Sequence, residues 1–109
     1  MVKDNATGSI LVKPPNVIPD VEISFTSTGS TTGIFFGHTP GNTIHDSEYT
    51  TDPGQSLHVV SMDMTKFMEP PPWGPAFYDN FRDSQSYNFD ANGRLNVITI
   101  NKTLIFQRL

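Results

Sequence analysis

Apolar and polar residues alternate along most of the chain, and Gly, Pro, Asn and Asp separate the alternating stretches. A period of two belongs to strands buried on one face, and no long stretch carries the 3.6-residue recurrence of an amphipathic helix. The pattern predicts an all-β domain. Its clearest strand is VEISFTS, with Val21, Ile23 and Phe25 on one face and Glu22, Ser24 and Thr26 on the other. GSILVK at 8–13 predicts a short apolar strand, stopped by Pro14 and Pro15, which bring no ladder donors. IFFG at 34–37, TIHDSEY at 43–49 and SLHVVSMDM at 56–64 predict three more, with turns at STGSTTG, HTPGN and TDPGQ.

The stretch SYNFDANGRLNVITINKTLIFQRL predicts a C-terminal three-stranded meander. Asn92-Gly93 is the pair favoured where both central positions of a turn need positive φ, and Asn101-Lys102 supplies a second two-residue turn. These turns set Phe89 opposite Asn96, Tyr87 opposite Ile98, Ile98 opposite Ile105 and Val97 opposite Phe106. Tyr87, Phe89, Ile98, Ile100 and Ile105 then share one face, and Leu95, Val97, Leu104 and Phe106 the other. With both faces apolar, an opposing sheet is expected on one, and a second subunit or a folded-back segment on the other. The expectation is a homo-oligomer of a single β-sandwich domain spanning 1–109, antiparallel and jelly-roll or Ig-like.

Composition narrows the function classes. The chain has 109 residues and no cysteine, which removes disulfides, thiolate nucleophiles and zinc–thiolate sites. Seven Lys and Arg against eleven Asp and Glu give a net charge of -4, and the cations are scattered, so nucleic acid is not an expected partner. No apolar run approaches the roughly 20 residues of a membrane span. The start MVKDNATGSILVK does not resemble a secretory signal, which leads to the expectation of a cytoplasmic protein or one released without a cleaved leader.

The stretch EPPPWGPAFYDNF concentrates three consecutive prolines, a fourth at Pro75 and four aromatic residues. Pro70 to Pro72 favour an extended polyproline geometry, and the aromatic residues that follow either cover the core or form a contact platform. The expected binding surface is Trp73, Phe77, Tyr78, Asp79, Asn80, Phe81 and Arg82, with rings to stack and polar groups to orient.

Candidate reactive chemistry is sparse. His38, His45 and His58, with Asp46, Glu48, Asp52 and Asp63, make the one imidazole–carboxylate constellation. Strict strand alternation sends His45 and Asp46 to opposite faces, and no short spacing pairs two histidines, so no metal and no cofactor is expected. No phosphate-binding glycine loop, EF-hand or nucleophile elbow is present. The expected function is a non-enzymatic, lectin-like binding or assembly module for a carbohydrate, a lipid surface or a protein partner. The alternative is a small metal- or acid-base-dependent enzyme using His38, His45, Asp46 and His58.

Overall fold

The computed structural model describes residues 1–11, 21–65, 67 and 73–107. It is mostly β, with two antiparallel sheets packed together and one short helix among the described residues. The strands are β1 (Val2–Asp4), β2 (Ile10–Leu11), β3 (Glu22–Ser27), β4 (Thr32–His38), β5 (Thr43–Thr51), β6 (Leu57–Met64), β7 (Ser84–Phe89), β8 (Leu95–Thr99) and β9 (Lys102–Phe106). Helix α1 (Trp73–Phe81) stands between β6 and β7 in the chain. One sheet has the order β3-β4-β5-β6 and the other β2-β1-β9-β8-β7. Within each sheet, neighbouring strands are consecutive in the chain apart from the β1–β9 pair, so each sheet is built from meanders, and the described strands do not interleave as in a Greek key.

The turns of the first sheet follow from their residues. Around Pro40-Gly41 the Thr39 hydroxyl accepts from Asn42 N at 3.0 Å, while Thr39 N donates to Asn42 O at 2.8 Å. At Asp52-Pro53-Gly54 the carboxylate accepts from the backbone N–H groups of Gly54 and Ser56, and Gln55 takes a φ of 63°. With β3 to β6 so joined, Ile23, Phe25, Phe35, Ile44, Tyr49, Leu57 and Met64 lie on the inward face.

The C-terminal meander forms, but in a different register from the one its turns suggested. Phe89 pairs with Leu95 and Tyr87 with Val97, one residue from the expected pairing. The cause is the turn. Gly93 alone takes positive φ, at 75°, and the loop holds three residues, Ala91, Asn92 and Gly93, between Asp90 and Arg94. Asp90 shapes it by accepting from Asn92 N and Arg94 N and by pairing with the Arg94 guanidinium at 3.0 Å. The Arg94 N–H is the chief reason its carboxyl is held below the ordinary range.

The second turn uses Ile100-Asn101 because the Thr99 hydroxyl accepts from Lys102 N and donates to Lys102 O. Val97 therefore faces Leu104, Leu95 faces Phe106, and Ile98 faces Thr103. Tyr87 and Phe89 move to the inner face with Leu95, Val97, Leu104 and Phe106. The outer face keeps Ile98, Ile100 and Ile105 but mixes them with Asn88, Asn96 and Thr103, so it is less apolar than expected.

Gly93 has positive φ and open space around it, with no atom within 4 Å of where a Cβ would stand, so a substitution there isolates a pure backbone effect. Gly93→Val should cost about 1–2 kcal/mol through left-handed strain alone, and Gly93→Asn should cost much less. Urea midpoints for the two variants measure this, and equal midpoints would contradict the turn geometry.

Helix α1 closes the core. Pro75 sits in its first turn, where a missing N–H costs nothing, and Phe77 and Phe81, four apart, share one face. The Ser84 hydroxyl donates to Phe81 O at 2.5 Å and Asp83 N to Asn80 O at 2.9 Å, ending the helix. Phe81 is fully buried and meets Phe35 at 5.4 Å, Phe77 at 5.3 Å, Phe25 at 6.5 Å and Phe106 at 6.5 Å, ring centre to ring centre. One side chain thus touches rings from both sheets.

Candidate aromatic pocket and the histidine face

The aromatic segment expected as a contact surface is turned largely inward. Phe77 and Phe81 are core residues, buried at 2% and 0% exposure, and do not present a platform. Tyr78 is half-buried against the same core. Asn80 is half-buried with its amide donating to Ala76 O at 2.7 Å, while Asp79 and Arg82 are exposed. The Trp73 side chain lies outside the described part of the structure, as do Pro70, Pro71 and Pro72. Residues 73–81 therefore fold as a helical plug, because a four-residue spacing of phenylalanines buries well on a helix.

A different group of aromatic residues is accessible. At one end of the sandwich the sheets part around a cavity of about 290 Å³ lined by Phe25, Tyr49, Thr51, Leu57, Tyr87, Phe89 and Leu95. Two edge-to-face pairs form its walls. Phe25 and Tyr49 from the first sheet meet at 5.5 Å and 87°, and Tyr87 and Phe89 from the second at 6.3 Å and 84°. Phe89 is 64% exposed at the rim, while Leu57 is 4% exposed below.

Backbone contacts fix the spacing of the walls. Ser56 bridges to Ser86, and Tyr87 N donates to Gln55 O at 3.0 Å, so the β5–β6 turn is tied to β7 beside the cavity. Gly33 supports Tyr49 from behind: a Cβ there would stand 2.2 Å from the tyrosine Cζ, so the ring lies against bare backbone. Among the described residues no charged side chain lines the cavity, and the polar side-chain groups there are the hydroxyls of Thr51, Tyr49 and Tyr87. Such a surface stacks and excludes water, and it offers few hydrogen bonds.

No family model, curated protein or solved structure matches this chain. The functional reading therefore rests on the chemistry of its own residues. No helix among the described residues is long and apolar enough to cross a membrane.

The histidine constellation lies on the outer face of the first sheet, where the register places His38 beside Thr43, His45 beside Asp63 and His58 beside Thr50. His38 Nε2 approaches Glu22 Oε2 at 3.4 Å. The expectation that His45 and Asp46 point apart is corrected by an irregularity in β5. Asp46 takes a φ of 47°, the pairing shifts between His45 and Glu48, and His45 Nδ1 stands 3.5 Å from Asp46 Oδ2 and 3.7 Å from Asp63 Oδ2. An inserted bulge residue breaks strict alternation, which sequence periodicity does not register. His58 is five positions along the paired strands from this group, roughly 15 Å at strand rise. Asp52 serves its own turn and Glu48 faces Ser61.

Proposed function

We propose that the protein is a non-enzymatic binding module whose ligand enters the aromatic mouth between the sheets. The observation that carries this reading is the pair of facing aromatic walls, with no charged lining residue among the described ones. A volume of about 290 Å³ is at the small end of ligand cavities, which run from about 300 to 1,000 Å³, and suits one or two fused rings. Hydroxyls alone satisfy few partners, which favours an uncharged, largely apolar ring over a polyhydroxylated sugar. This narrows the broader expectation of a carbohydrate, lipid-surface or protein partner. Self-association remains a companion proposal, supported by Ile10 on the edge strand β2 and Ile100 in the β8–β9 turn, both more than half exposed.

Titration of ¹⁵N-labelled protein with indole, and separately with a methyl glycoside, tests the reading. Indole should give saturable shifts centred on the amides of Thr51, Leu57, Tyr87 and Leu95. Phe89→Ala should weaken it about 2- to 10-fold, the equivalent of one aromatic contact of about 0.5–1.5 kcal/mol. Phe89 is the better variant because its rim exposure makes the fold insensitive to its loss. Saturable glycoside shifts at the same amides without indole binding would move the ligand class to sugars. Shifts that do not saturate, or that centre elsewhere, would overturn the site.

A further inference from the structure

We propose that His45, Asp46 and Asp63 form a binding site for a divalent transition-metal ion of the zinc type. The donor set suits such an ion: imidazole disfavours calcium and magnesium, and two carboxylates supply the negative charge. The spacing suits it as well. Bonds of about 2.0–2.2 Å at tetrahedral angles place neighbouring donors about 3.3–3.6 Å apart. Asp46 Oδ2 and Asp63 Oδ2 already lie 3.5 and 3.7 Å from His45 Nδ1, and the three donor atoms all lie within 4.8 Å of one another. Rotation of exposed carboxylates closes what remains.

Charge points the same way. Asp4 is matched by Lys102 at 2.6 Å and Asp90 by Arg94 at 3.0 Å. Among the described residues no lysine or arginine pairs with Asp46 or Asp63, and the only ionic partner of either is His45. A bound cation would neutralise the two carboxylates.

The buried Ser47 holds the donors in place. Its hydroxyl donates to His45 O at 2.9 Å and accepts from Asp63 N at 3.0 Å, joining the backbones of two ligand residues across β5 and β6. It is a positioning residue. Three protein donors leave at least one position to water, so the ion would be exchangeable and open to a further ligand.

Calorimetric titration with Zn²⁺, and absorption of the Co²⁺ form, test the site on the intact chain. One ion should bind per protomer. His45→Ala and Asp63→Asn should each weaken it at least 10-fold, Asp46→Asn should do the same while tolerating the positive φ, and His58→Ala should leave the affinity unchanged. Ser47→Ala should weaken binding about 10-fold without changing the Co²⁺ ligand-field bands, which a lost ligand would alter. If His45→Ala fails to fold, judged by circular dichroism, His45→Gln takes its place. No saturable binding below about 1 mM, unchanged affinity in the His45 variant, or equal loss in His58→Ala would overturn the proposal.

Discussion

Phe81→Ala should destabilise the protein by about 3–5 kcal/mol, the range for emptying an aromatic site in a packed core. Total stabilities of small domains are about 5–15 kcal/mol, so this single change would remove much of the margin. Phe81 is the contact between layers. Its ring meets Phe25 and Phe35 of the four-stranded sheet, Phe106 of the five-stranded sheet, and Phe77 on its own helix. Truncation would leave these rings facing a void that neither sheet can fill without moving toward the other. The Ser56–Ser86 bridge and the Tyr87–Gln55 hydrogen bond restrain that movement at the cavity end, so the void should persist. With a urea m-value of about 1–3 kcal/mol/M, the midpoint should fall by on the order of 2 M. Phe81→Leu, which refills most of the volume, should cost clearly less. A midpoint loss below about 0.5 M for the alanine variant would show that the helix does not plug the core.

How much of this was legible in the sequence depends on whether the cause was local. Strand β3 was legible because Val21, Ile23 and Phe25 alternate with polar residues and the inner face keeps that parity. Strand β1 was not: Val2, Lys3 and Asp4 carry little pattern, and they become a strand by pairing with Leu104, Thr103 and Lys102 from the far end of the chain. The meander was legible as three strands, but its register was not. A side-chain hydroxyl at Thr99 and a carboxylate at Asp90 chose loop lengths that dipeptide preference alone does not specify.

The candidate pocket was hidden for a related reason. Its walls come from β3, β5, β6, β7 and β8, so no window of sequence holds more than a fragment of it. The Asn92-Gly93 register also put Tyr87 and Phe89 on the side away from Leu95, and one residue of slip reverses that. The aromatic residues that stood out in sequence, Phe77 and Phe81, were conspicuous because they are core. At the histidine face one bulge at Asp46 was enough to bring together side chains that alternation separates.

Gly37→Ala should be among the most damaging changes of a single methyl group, because what the methyl meets is backbone. A Cβ at Gly37 would lie 1.9 Å from Glu22 O, 2.8 Å from Glu22 C and 3.0 Å from Ile23 Cα. Gly33 offers the contrast: the obstacle there is the Tyr49 ring, which can swing aside. At Gly37 relief requires β3 to separate from β4, and Glu22↔His38 and Ile23↔Gly37 are the first pairs of that ladder to go. The cost should be about 3 kcal/mol, the upper part of the range for overpacking, since no rotamer change can absorb it. The effect should also reach the pocket. Phe25 is on the displaced strand, where it packs edge-on against Tyr49 and forms part of the wall, so indole affinity should fall with stability. Gly93→Val should lower stability without touching affinity, because its loop lines no part of the cavity. The Gly33→Ala variant should show the reverse balance, with affinity changing more than the urea midpoint as Tyr49 is pushed off its support. A Gly37→Ala protein with the parent midpoint and the parent indole affinity would mean that β3 does not pair with β4 in this register.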